Sequence, residues 1–155
     1  ARIRMKINSL VDEEIIDSLY RASQAGVPIE ILVRGMCALK PGVPGLSETI
    51  KVRSVLGRYL EHSRIFSFLG GGDPEYYIGS ADMMHRNLDR RVEALVRIVQ
   101  ADHIKDLDSV FDLAMSDEAS SWHLSTDGSW TRHKTALDVQ DAIMRDIAGR
   151  RGTRK

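Results

Sequence analysis

The sequence predicts an α/β domain, a mixed sheet flanked by helices, on three observations. "RIRMKINS" alternates apolar and charged residues, then gives way to a helical repeat and to the short β-branched run "VPIEILVRG". That strand-helix-strand order favours parallel pairing with a right-handed crossover. Two alternating runs flank "GGGDPE" and read as an antiparallel hairpin. Two later stretches, residues 102–117 and 135–151, repeat apolar residues at helical spacing. Parallel and antiparallel pairs in one domain make the sheet mixed.

Taken in order, Ile3, Met5 and Ile7 against Arg2, Arg4 and Lys6 have the period of a half-buried strand. A strand in use from residue 2 predicts that the chain continues upstream. "SLVDEEIIDSLYRASQAG" is a helix closed by Gly26. "VPIEILVRG" is a strand that ends on Arg34. "CALKPGVPGLSET", with its prolines and glycines, is a loop. Ser47 is placed to cap a helix over residues 48–61, with Ile50, Val52, Val55, Leu56 and Leu60 as its apolar face. "HSRIFSFLG" and "YYIGSA" are the two hairpin strands, and "VEALVRIV" is a further strand. "SSWHLSTDGSWTRH" is irregular, turning near Asp127 and Gly128. Residues 152–155 are a frayed tail.

Composition narrows the function. With 155 residues the chain forms one domain with its own core. Lys plus Arg and Asp plus Glu each number 22, so the net charge is zero. That argues against a nucleic-acid-coating protein while leaving room for a local basic pocket. One cysteine, Cys37, rules out an internal disulfide and suits a reducing compartment. No run approaches the roughly 18 apolar residues of a membrane span. The opening residues lack the uninterrupted apolar stretch of a signal peptide.

The chemistry gathers between residues 59 and 95. Arg34 ends a strand where α/β sheets bind ligands, and reads as a ligand arginine or as a surface arginine paired to a local acid. His62, between two elements, reads as a titratable or nucleophilic group or as an ordinary surface residue. "GGGD" lacks the Lys-Ser/Thr of a phosphate loop, and a hairpin explains it better. His85, His103, His123 and His133 have no metal-ligand spacing. The arginines of "HRNLDRR" suit forked bonds to phosphate oxygens, and Leu88 among them suggests a shaped loop rather than a solvated charge run.

Together, His62-Ser63-Arg64, the hairpin, and Gly79-Ser80-Ala81-Asp82 resemble half of a phospholipase-D-type site. Arg64 stands where that pattern has lysine, and Asp82 where it has asparagine. A closer resemblance is to the bacterial polyphosphate kinases of the first type. It is carried by "ILVRGMCALKPGVPGLSETIKVRSVLGRYLEHSRIFSF" and "YYIGSADMMHRNLDRRVEALVRI". It covers essentially the whole chain and is weakest over residues 120–135. The family enzyme is several times longer and carries two related phospholipase-D-like domains. Residues 1–155 resemble the second, a single C-terminal domain.

The resemblance implies reversible transfer of the terminal phosphate of ATP to inorganic polyphosphate through a phosphohistidine. The phosphorylated histidine and the Mg2+ ligands are expected in the preceding domain, so this chain alone is expected to be inactive and to hold no metal. His62 matches the family's second essential histidine. Arg34 and Arg91 match its phosphate-contacting arginines. Arg64 either touches the phosphates or holds the imidazole, and Ser80 and Asp82 are expected to orient His62. Expected partners are ATP or ADP, polyphosphate, other domains of the same chain and further copies in a homo-oligomer, with no nucleic acid. The expected setting is cytoplasmic, with peripheral contact to the inner membrane face as an option. Two other readings stay open. One is a phosphodiesterase or nuclease built from two half-sites, and the other is a non-catalytic module that binds polyphosphate or nucleotide.

Overall fold

The structure is a computed structural model that describes residues 1–152. The first strand, β1 (Arg2–Ile7), leads into helix α1 (Glu13–Gln24), and β2 (Ile29–Val33) returns parallel to β1 in the register Ile3↔Ile29 to Ile7↔Val33. Asp12 caps α1, its carboxylate accepting from the backbone N–H of Ile15 at 3.0 Å. Gly26, at φ +81°, turns the chain out of the helix. β3 (Ile50–Ser54) adds parallel to β2. β4 (Arg64–Leu69) and β5 (Glu75–Gly79) form the expected hairpin, with β4 antiparallel to β1. A short helix α2 (His85–Leu88) precedes β6 (Leu95–Ile98). Helix α3 (Ala101–Ala114), strands β7 (Ser121–Leu124) and β8 (Trp130–His133), and helix α4 (Val139–Gly152) follow. One eight-stranded mixed sheet results, in the order β6-β5-β4-β1-β2-β3-β7-β8.

Helix α1 covers one sheet face. There Ile16 and Leu19 pack with Met5, Ile7, Ile29, Ile31, Val33, Val52 and Phe66. The other face carries Leu32 and Ile65 under Phe111 and Ala114 of α3 and Val139 of α4. Removing that much apolar area from water drives the assembly, at roughly 25 cal/mol per Å².

Four expectations are corrected. Residues 48–61 do not form a helix: β3 occupies 50–54 and the chain is irregular from Val55 to Ser63. Ile50 and Val52 alternate with Lys51 and Arg53, and their β-branched side chains fit the pleat beside β2 better than a helix. Ser47 caps nothing. Its buried hydroxyl accepts from the N–H of Val43 and donates to the carbonyl of Lys40, closing the loop on itself. Residues 121–133 are a hairpin rather than irregular, with the turn at Asp127-Gly128 and Gly128 at φ +87°. Finally, β1 is buried on both faces. Arg4 pairs with Glu30, Asp108 and Asp112 and lies over the Phe111 ring, and Lys6 pairs with Glu61. The alternation marks two chemically different cores rather than one core and solvent. Of the tail expected at 152–155, Gly152 ends α4 and residues 153–155 lie outside the described residues.

Candidate active site

The register fixes where the chemistry converges. The carboxyl ends of β1, β2, β3 and β5 and the amino ends of β4, β6 and β7 share one end of the sheet. The terminal pairs Ile7↔Val33, Lys6↔Ile65, Arg64↔Gly79, Gly79↔Leu95 and Ser54↔Trp122 establish this. Arg34 follows β2, His62 precedes β4, Ser80 and Asp82 follow β5, and Arg91 precedes β6. The fold therefore brings all the singled-out residues to that end.

Asp82 is the buried centre, 4% exposed. Its Oδ1 accepts from the backbone N–H of Asn8 at 2.7 Å and from Asn8 Nδ2 at 3.1 Å. Arg64 forks onto it, Nε to Oδ1 at 3.2 Å and Nη2 to Oδ2 at 2.8 Å. Burial alone would push this carboxyl up, but the Arg64 and Asn8 bonds outweigh it and hold it below the usual carboxylate range. The two departures from the phospholipase-D pattern thus compensate each other, since the acid at 82 pairs with the arginine at 64.

The remaining guanidinium nitrogen of Arg64, Nη1, lies 2.8 Å from His62 Nδ1 and 3.2 Å from the His62 carbonyl. A guanidinium only donates, so Nδ1 accepts and a neutral His62 carries its proton on Nε2. Most of the Arg64 donors are taken by Asp82 and His62. Of the two roles open to Arg64, this geometry favours holding the imidazole over touching substrate. Asp82 reaches His62 through Arg64. Ser80 does not: its hydroxyl donates to Glu93 and accepts from the N–H of Ala94 at 3.0 Å. Glu93 also accepts from Asn87 Nδ2 at 2.6 Å. Bonds from Ser80 and Asn87, with Arg91 and Arg64 nearby, hold the Glu93 carboxyl below its ordinary value.

Arg34 and Arg91 differ from Arg64. Neither guanidinium has a hydrogen bond or ion pair with another described residue. Arg34 is half-buried and lines a narrow pocket with Lys6, Val55 and Glu61. Arg91 is exposed on the connection between α2 and β6. Gly79 permits the close pairing of β5 and β6, because a Cβ there would sit 2.8 Å from Leu95 Cδ1 and 3.0 Å from the Ala94 carbonyl. Asn8, Lys6, Glu61, Glu93 and Gln140 support the site and carried no recognisable motif. Only the side-chain contacts reveal them.

The arginine connection is stapled to α1 by His85. Its Nδ1 is 3.1 Å from Asp12 Oδ2 and 3.5 Å from Asp89 Oδ2, and its Nε2 is 2.5 Å from Glu13 Oε2. With carboxylates at both nitrogens, the imidazolium fits and the neutral ring would aim a lone pair at an acid. Glu13, followed by Asp12 and Asp89, accordingly raises the His85 pKa. A raised folded-state pKa means that this contribution is fully present below about pH 6.5 and fades as pH rises through the folded value. The melting temperature of the parent is therefore expected to exceed that of His85→Gln at pH 5.5, with the gap closing on the alkaline side of neutrality. A gap constant across that range overturns the assignment.

Among the described residues, no group of three or more His, Cys, Asp or Glu is arranged to hold a metal ion. The buried acid of the site, Asp82, is saturated by Arg64 and Asn8. This donor set does not fit a magnesium ion. Among the described residues no helix is long and apolar enough to cross a membrane.

Comparison with known proteins decides the family. Residues 1–143 match the model for polyphosphate kinase C-terminal domain 2. The chain belongs to the polyphosphate kinase family. It is 57% identical over 159 aligned residues to the polyphosphate kinase of Streptomyces coelicolor, covering 99% of this chain and 21% of that protein. It is 58% identical to the polyphosphate kinase of Mycobacterium avium, over 92% of this chain and 20% of the relative. The chain therefore spans about a fifth of the length of these relatives. The crystal structure of polyphosphate kinase from Porphyromonas gingivalis superposes with a TM-score of 0.91 at 33% identity, covering 98% of this chain and 24% of that one. Nuc from Salmonella typhimurium, a phospholipase D family member, shares the fold at a TM-score of 0.54 and 16% identity, over 72% of this chain and 76% of Nuc. The polyphosphate kinase domain is thus a phospholipase-D-like fold, as the resemblance implied.

Proposed function

We propose that this chain is one catalytic domain of a longer polyphosphate kinase that moves the terminal phosphate of ATP reversibly onto polyphosphate through a phosphohistidine on a preceding domain. Family membership supports the reaction class. The observation that carries the part played here is the contact from Arg64 Nη1 to His62 Nδ1. It leaves Nε2–H as the exposed edge of the ring, a donor rather than a nucleophile. His62 then donates a hydrogen bond from Nε2–H to the oxygen that leaves phosphorus, while the histidine that takes the phosphoryl group belongs elsewhere. Arg34 and Arg91, whose guanidiniums make no hydrogen bond or ion pair with another described residue, fork onto phosphate oxygens and stabilise the charge that spreads over them in transfer.

Any magnesium ligands of the reaction lie outside this chain on this reading. The full-length enzyme is, on the same reading, a cytoplasmic homo-oligomer. A phosphodiesterase built on two such half-sites is disfavoured, because it needs an unprotonated ring nitrogen facing substrate.

The test compares two proteins. The full-length enzyme is expected to make acid-insoluble polyphosphate from radiolabelled ATP, and the 155-residue chain alone is expected to make none. Synthesis by the isolated chain that disappears in His62→Ala would overturn the multi-domain reading. Release of nitrophenol from bis(nitrophenyl) phosphate by either protein would revive the phosphodiesterase.

A further inference from the structure

We propose that Gln140, on the amino-terminal turn of α4, is a positioning residue for His62, so that α4 belongs to the catalytic apparatus rather than to the packing alone. This deepens the assignment above and rests on His62 being a chemical group.

His62 sits in an irregular segment, residues 55–63, that no strand pairing or helix holds. Much of that segment is solvent-facing, with Leu56 and Leu60 exposed. Left to itself such a segment samples many conformations, and fixing each residue costs about 1–2 kcal/mol of entropy. Something must fix the backbone on either side of the histidine. Gln140 is 5% exposed, and its amide is fully used on this segment. Oε1 accepts from the backbone N–H of Tyr59 at 2.8 Å, and Nε2 donates to the Tyr59 carbonyl at 2.8 Å and to Glu61 Oε1 at 2.7 Å. The amide pairs with Tyr59 as a neighbouring strand would. Glu61 passes the restraint on: its Oε2 is 2.8 Å from Lys6 Nζ, which also donates to Ser63 Oγ at 2.8 Å. The residues before and after His62 are thus both tied to Lys6, and through Glu61 to Gln140.

Gly57 shows how closely the amide is seated. A Cβ there would lie 2.5 Å from Gln140 Oε1 and 2.8 Å from its Cδ, so a side chain at 57 would have to displace the amide from its seat. Arg64 fixes the ring, and Gln140 fixes the backbone that presents the ring to Arg64. Both are needed for Nδ1 to stay at 2.8 Å from Nη1. A residue that merely stabilised the α4 contact would need neither two donors nor an acceptor.

The experiment uses the full-length enzyme with ring-15N-labelled histidine and follows the His62 signals, assigned by their loss in His62→Ala. The parent is expected to show a single Nε2–H tautomer. In the near-isosteric, apolar Gln140→Met, both tautomers are expected, with turnover down about ten- to a hundredfold and the Michaelis constant for ATP within about twofold. A second variant guards against misfolding. Gln140→Glu alone sets a carboxylate against Glu61 and the Tyr59 carbonyl. Combined with Glu61→Gln, the new amide at 61 can donate to the carboxylate at 140 and still accept from Lys6. Because the Tyr59 carbonyl still faces the carboxylate, the pair is expected to regain part of the Nε2–H population and part of the rate that Gln140→Glu loses. A single Nε2–H tautomer retained in both Gln140→Met and Gln140→Glu overturns the proposal. Mixed tautomers at undiminished turnover would leave Gln140 holding His62 and remove His62 from the chemistry, so the two failures are told apart.

Discussion

His62→Gln in the full-length enzyme lowers turnover by about a hundredfold or more, the range in which removal of one preorganised hydrogen-bond donor falls. Glutamine can bring an N–H near the place of the Nε2 proton but has no acceptor where Nδ1 meets Arg64 Nη1, so nothing holds that donor in line. Phosphate binding by Arg34 and Arg91 does not depend on that proton, so the Michaelis constant for polyphosphate changes little. Turnover and catalytic efficiency fall together, as when an interaction made only in the transition state is lost. Steady-state kinetics from pH 5.5 to 9 provide the check. A His62→Gln enzyme with near-parental turnover would remove the Arg64-anchored donor from the chemistry.

Asp82→Ala is the second severe change, and its damage begins with stability. The carboxylate receives four hydrogen bonds at 3.2 Å or less, from Asn8 and Arg64, in a buried setting. Deleting it leaves a largely buried guanidinium without its acid and the Asn8 N–H without an acceptor. Breaking one side of such a pair costs about 3–5 kcal/mol, which for a domain of this size lowers the melting temperature by on the order of ten degrees. Because the Asp82 pKa is depressed, its contribution is present above about pH 4 and is lost as pH falls through the lowered value. The parent and Asp82→Ala are therefore expected to converge in stability in acid. Activity falls as well, because a released Arg64 no longer holds His62 Nδ1. Equal melting temperatures at pH 7 would refute this account.

Much of this was legible in the sequence, and the rest was hidden for identifiable reasons. The β1-α1-β2 unit and the β4-β5 hairpin were readable because local signals agreed: alternation, helical spacing, and Gly26 and the glycine run as stops. The stretch from 48 to 61 was not. Ile50, Val52, Val55 and Leu56 satisfy helical and strand spacing alike, and pairing with β2 decided between them. β7 and β8 are four residues each, shorter than a periodicity can declare itself. In the site, the residues with motif-like neighbours, His62, Arg64 and Asp82, were readable. Their supports were not, because the contacts join distant parts of the chain. Asn8 meets Asp82 across 74 residues, and Gln140 meets Tyr59 across 81.

The charged face of β1 has a consequence for folding fidelity. A strand in the middle of an eight-stranded sheet can slide against its neighbours, and sliding by one residue exchanges its two faces. An ordinary amphipathic strand resists this with one penalty, apolar side chains sent to water. β1 resists it with two. A slip would push Arg4 and Lys6 into the aliphatic layer under α1 while stranding Glu30, Glu61, Asp108 and Asp112 opposite Ile3, Met5 and Ile7. Alignment of the central strand is thereby written in both charge and oiliness. The end of the sheet where Asn8 must meet Asp82 inherits its accuracy from that double proofreading.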